Sequence, residues 1–125
     1  MTPAALAVAT AFNLLCTGTT FYGPGSDYLK KENQAPYTQT FRIDLKAERW
    51  CSGACQTTDR IYQIGQTRIM LKLEQDEATG SESFISLSRE DGSLLDRTKV
   101  SNDLLFMNTG KCSRVAFTGF PARQF

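Results

Sequence analysis

Tyr37-Thr38-Gln39-Thr40-Phe41-Arg42-Ile43-Asp44-Leu45 reads as an alternation. Tyr37, Phe41, Ile43 and Leu45 fall on one face; Thr38, Thr40, Arg42 and Asp44 fall on the other. That two-residue period describes a strand with one side on a core and the other in water, as antiparallel sheets use. Working outward, residues 68–74 repeat the pattern with Ile69, Leu71 and Leu73 inward, and residues 84–89 place Ile85 and Leu87 inward. Glu90-Asp91-Gly92-Ser93 is a tight-hairpin signal, because Asp-Gly accepts the positive φ angles such a turn needs. It links residues 85–89 to a strand over 94–100. Gly65-Gln66-Thr67 similarly joins a short strand at 61–64 to residues 69–73, and residues 12–20 and 111–117 supply the first and last strands.

No segment sustains a helical period with caps at both ends. Residues 101–108 are the one expected helical turn, with Leu104, Leu105 and Met107 apolar and Ser101 or Asn102 as cap. Residues 23–36 and 75–82 read as long polar loops. Short, evenly spaced strands divided by polar turns predict an all-β fold, an antiparallel meander closing as a small barrel or sandwich with at most one short helix. At 125 residues, with 41% hydrophobic and 22% charged residues, the chain suits one domain.

The cysteines set the compartment. Cys16, Cys51, Cys55 and Cys112 occur in a chain with no histidine, which removes the commonest general base and the commonest metal ligand. Four cysteines in a small domain read as a disulfide framework of an oxidising compartment, periplasmic or secreted. Cys16 and Cys112 lie in the first and last strands, neighbours in a closed meander, so a bridge between them would clip the barrel shut. Cys51 and Cys55 bridge only if the chain bends near Gly53, since a straight strand holds their Cα atoms about 13 Å apart. All three pairings remain open from the sequence. Residues 1–11 carry an uncharged Ala-rich run ending in Ala9-Thr10-Ala11, the pattern of a signal-peptidase site. They are expected to be a signal-peptide remnant ahead of a single disulfide-stapled domain over 12–125.

Catalytic patterns are missing. A Cys51/Cys55 thiol-redox site would depart from Cys-x-x-Cys and lacks a βαβ context, and a zinc site would want paired short spacings. Asp44 and Glu48 form an acid pair, but hairpin surface charge explains them. No catalytic residue, metal ligand or cofactor is therefore assigned. A net charge of +1 leaves no footprint for nucleic acid, and no apolar run is long enough for a transmembrane helix. Phe117, Phe120 and Phe125 crowd the C-terminus. They are expected either to fold back and plug the barrel end or to form a partner-binding patch.

Phe12-Asn13-Leu14-Leu15-Cys16-Thr17-Gly18-Thr19, Ile43-Asp44-Leu45 before Trp50-Cys51, the run from Ile85 to Gly92, and Gly110-Lys111-Cys112 ahead of Phe117-Thr118-Gly119-Phe120-Pro121 resemble small uncharacterised exported proteins of alphaproteobacteria and other Gram-negative bacteria. A looser likeness is to the β-barrel inhibitors of c-type lysozyme, which also clip a first-strand cysteine to the C-terminal region; their Ser-x-x-Gly-x-x-Tyr loop does not occur in this chain. The expected function is non-catalytic: an exported β domain that binds an unknown protein or a small apolar ligand. An envelope inhibitor of a protein such as a lysozyme, and a thiol-redox enzyme using Cys51/Cys55, are the alternatives.

Overall fold

The alternating stretch at 37–45 forms most of the second strand, with Phe41 and Ile43 almost completely buried and Arg42 on the opposite side. The computed structural model describes residues 10–100 and 103–121. Its strands are β1 (Ala11–Pro24), β2 (Gln34–Asp44), β3 (Arg49–Ser52), β4 (Asp59–Arg60), β5 (Gln63–Ile64), β6 (Arg68–Asp76), β7 (Ser81–Ser88), β8 (Ser93–Val100) and β9 (Leu104–Val115). They form one antiparallel sheet in the order β4-β3-β2-β1-β9-β8-β7-β6-β5, curled into a half-barrel. The expected all-β meander is therefore present, and the sheet's opening falls between β4 and β5.

β1, at 14 residues, is the longest strand and has a long neighbour on each side. It pairs with β2 from Ala11↔Asp44 to Phe21↔Gln34, and with β9 from Asn13↔Val115 to Pro24↔Leu104. Cys16 and Cys112 face each other across β1 and β9 and are bridged, with Cα atoms 3.9 Å apart. Two pairs further along, on the same face, Gly18 opposes Gly110, and a methyl group on either would overlap the other strand's backbone. The two glycines thus let the terminal strands approach as closely as the bridge requires. On the concave face Phe12, Cys16, Phe41, Ile43, Trp50, Ile69, Leu71, Ile85, Leu87 and Leu94 belong to one buried cluster. Burying a side chain of this size contributes about 1.5–3 kcal/mol.

The second bridge, Cys51–Cys55, forms as a bend with Cα atoms 5.1 Å apart. Gly53 (φ 59°) and Cys55 (φ 51°) turn the chain left-handed, and Cys55 N–H donates to Ser52 O. The 89–92 turn is the anticipated hairpin: Gly92 has φ 73°, its N–H donates to Ser88 O, and Ser93 N–H donates to the Asp91 carboxylate. That donated hydrogen bond is the main reason the exposed Asp91 carboxyl sits well below its usual range.

Four expectations need correction. Residues 104–108 are strand, not helix, because β9 finds backbone partners on both β1 and β8, and these outweigh local propensity; Ser101 and Asn102 lie outside the described residues. The loop at 23–36 shrinks, since β1 runs to Pro24, β2 starts at Gln34, and short 3-10 turns at Asp27–Leu29 and Lys31–Asn33 fill the interval. The loop at 75–82 reduces to residues 77–80, closed by Gly80 N–H donating to Asp76 O. Finally, β6 bulges between Met70 and Lys72. A bulge sets two residues against one partner and shifts the phase of everything beyond it. Leu73 therefore pairs with Phe84, on the face opposite Ile85, while Lys72 pairs with Ile85 on the concave face.

Residues 1–9 of the expected signal remnant lie outside the described residues. Thr10 O accepts Leu45 N–H and Ala11 pairs with Asp44, so these two residues of that expected remnant are tied to the sheet.

Removing Cys16–Cys112, which spans a sequence separation of 96, should cost about 4–5 kcal/mol in the chain-entropy model, against about 2 for Cys51–Cys55. Urea midpoints of the paired Cys→Ala variants measure both, and equal losses would contradict the closure role. Gly110→Ala should cost about 1–3 kcal/mol by overpacking, measured the same way with both bridges intact.

Candidate functional site: the two ends of the half-barrel

The register divides the concave face into an apolar end and a polar end. At the apolar end, Phe12 and Leu14 from β1, Leu45 after β2, Ile69 from β6 and Leu87 from β7 wall a pocket of about 210 Å³. Arg89 and Arg114 stand at this pocket. The Arg114 guanidinium lies 4.4 Å above the Phe12 ring, a cation–π distance, and Arg89 Nη1 donates to Gly65 O at 2.7 Å. Both cations are thereby positioned beside an apolar cavity.

At the polar end the same strands contribute different side chains. Thr20 Oγ1 donates to Asn108 Oδ1, and Asn108 Nδ2 donates to Asp96 Oδ2 at 3.2 Å. Ser83 and Thr98 share a hydroxyl–hydroxyl bond of 3.1 Å. Burial pushes the Asp96 carboxyl up, opposed by the Asn108 hydrogen bond and by the charge of Lys72. Burial, and then the Asp96 charge, push the Tyr37 phenol up to about 12. The bulge in β6 is what turns Lys72 toward this cluster.

A third feature is the opening itself. Ile61 N–H donates to Glu48 O on one wall and the next amide, Tyr62, donates to Leu71 O on the other. The chain thus crosses the opening once, at 61–62. Beside this crossing, Trp50, Arg60, Tyr62, Leu71, Lys72 and Glu74 border a slot of about 420 Å³. Trp50 is 6% exposed, and its indole Nε1 has no acceptor among the described residues.

The residues singled out from sequence fall in several places. The four cysteines pair as two structural bridges. Asp44 Oδ1 accepts Ala47 N–H and caps its turn, while Glu48 makes an exposed 3.9 Å ion pair with Arg60, so this acid pair does surface work. Phe117 and Phe120 meet edge to face, centroids 5.2 Å apart. Their segment does not plug the barrel end. Thr118 exchanges hydrogen bonds with Asn13, and Arg42 Nη1 donates to Gly119 O, which pins the segment to the convex face of β1 and β2. Phe125 lies outside the described residues.

Compared with known proteins, the chain matches no family model, no curated protein and no solved structure.

Asp96, Asn108, Thr20, Lys72, Trp50, Arg89 and Arg114 were not anticipated as site residues. Leu94-Leu95-Asp96 has two apolar residues in a row, which hides the phase that turns Asp96 inward; the bulge hides Lys72 in the same way.

A raised carboxyl pKa contributes stability that is full below the ordinary value of 3.8 and lost as pH rises through the raised value, so ionised Asp96 weakens the fold at neutral pH. Asp96→Asn keeps an acceptor for Asn108. It should raise the urea midpoint at about pH 7 and leave it unchanged near about pH 3. In the same variant, ultraviolet titration should find the Tyr37 phenol below about 12 yet still above its ordinary 10.0, since burial is the larger cause.

Proposed function

We propose that this chain is an exported, periplasmic or secreted, binding domain without catalytic activity. Its ligand is a small molecule with an apolar body and an acidic end, held at the apolar end of the half-barrel. The observation that carries the reading is the pocket walled by Phe12, Leu14, Leu45, Ile69 and Leu87 with two positioned guanidinium groups at its side. Apolar walls with a few convergent polar groups are the usual composition of a ligand site. A guanidinium takes a carboxylate through paired hydrogen bonds. A volume of about 210 Å³ suits a short aliphatic acid rather than a long lipid.

The compartment is supported by the two disulfides, which persist where the surroundings are oxidising. Among the described residues no helix is long and apolar enough to cross a membrane.

A second reading, an envelope inhibitor of a protein such as a lysozyme, draws support from the Phe117–Phe120 pair held on the convex face. The thiol-redox alternative has less support. Cys51 and Cys55 are 2% and 4% exposed, whereas thiol–disulfide exchange needs an accessible sulfur.

Octanoate is a suitable probe. Calorimetric titration should give saturable binding, and Leu14→Trp, which fills the pocket, should abolish it. Arg114→Gln should weaken octanoate about tenfold or more while leaving octanol, the uncharged analogue, less affected. Equal affinity of wild type and Leu14→Trp for octanoate would remove the pocket from consideration.

A further inference from the structure

We propose that the slot in the half-barrel wall is a strand-addition site, and that its occupant is an extended segment of a partner polypeptide. The inference is separate from the apolar pocket and uses different residues. β6 pairs with β7 along one side through Asp76. On its other side it pairs with β5 only at Ile69 and Met70. From residue 72 to residue 76 that side has no paired strand among the described residues, which leaves about 17 Å of free edge. An incoming strand would extend the line of β5 beyond residues 61–62, where the chain crosses over from β4, and would run antiparallel to β6 as every other pair in this sheet does.

A further observation points to a polypeptide. The slot is bounded on both sides by this same molecule, by Trp50 and Arg60 on one wall and Leu71 to Glu74 on the other. A slim extended segment fits between two walls. The edge of a second folded copy does not, because its own β6 carries β7 behind it.

The side chains along the edge define the segment. Lys72 and Glu74 are on the concave face and Leu73 is on the other, with Lys72 and Glu74 already 4.0 Å apart as an ion pair. Directly opposed residues on neighbouring strands share a face and interact. Read antiparallel to β6, the complementary segment is therefore a cation opposite Glu74, an apolar residue opposite Leu73, and an acid opposite Lys72.

The chain has one tryptophan, Trp50, so its fluorescence reports directly on the slot. The probe is the blocked peptide Thr-Thr-Val-Lys-Val-Glu-Val-Thr-Thr, titrated into the intact disulfide-bonded protein. Expected is a saturable change in Trp50 emission, with the charge-exchanged peptide Thr-Thr-Val-Glu-Val-Lys-Val-Thr-Thr about tenfold weaker. Glu74→Lys, at an exposed position, should erase that preference without altering the far-ultraviolet circular dichroism. No saturable change with either peptide, equal affinity for both, or an unaltered preference in Glu74→Lys would each overturn the proposal. So would a concentration-dependent dimer in sedimentation that Glu74→Lys dissolves, since the edge would then belong to a second copy. Octanoate binding is read at the other end of the half-barrel and survives or fails independently.

Discussion

Everything in this molecule depends on β1 lying between β2 and β9. The β1–β9 pairing joins residues far apart in the sequence, such as Asn13 with Val115. Such long-range pairing is entropically expensive to close. The sequence offsets that cost at two successive inward positions: Cys16 and Cys112 join the strands covalently, and Gly18 and Gly110 remove the side chains that would hold the backbones apart. Closing the sheet through its terminal strands also dictates where it opens. A meander that joins its ends can be left open only in its middle, and the middle of this chain is the pair of two-residue strands β4 and β5.

The Cys51–Cys55 bend widens that opening. By turning the chain left-handed at Gly53 and Cys55 it ends β3 at Ser52, so β3 covers only Phe41 to Asp44 of β2. Residues 34–39 of β2 then have no paired strand on that side among the described residues, just as residues 72–76 of β6 have none. One small bridge thus shapes the wall as much as it stabilises the turn. Free edges are normally blunted by charge and by bulges. β6 carries both, with Lys72 and Glu74 directly beyond the bulge, which discourages indiscriminate pairing and leaves room for a partner whose charges match.

Much of this was legible in the sequence, because a strand with one wet face writes its orientation as alternation. Residues 37–45 gave both strand and face, Ile85 and Leu87 point inward as read, and Asp91-Gly92 makes the expected hairpin. The cysteine positions carried the closure, since first and last strands meet in any closed meander. What escaped is what alternation cannot encode. A bulge costs one residue and leaves no mark in composition, so Leu73 and Lys72 exchanged faces unannounced. Residues 104–108 offered a helix by local propensity and became strand because two extended neighbours were waiting for them. The tail at 117–120 carries apolar side chains, but only the donors and acceptors of Asn13 and Arg42 decide that it lies on the convex face.

The contrast between the two ends of the concave face bears on function. A half-barrel built for stability alone would continue its apolar interior from Ile43 and Leu87 to the far rim. Here the inward positions change to Thr20, Tyr37, Asp96, Thr98 and Asn108 instead, and Asp96 sits where burial disfavours its charge. Hydrogen bonding to Asn108 and the nearby Lys72 soften this without removing it. An arrangement that gives up stability at neutral pH is expected where local rules yield to function rather than in a plain core. The free β6 edge has a plainer origin: a sheet closed through its first and last strands is left open at its middle, where β5 covers only the start of β6.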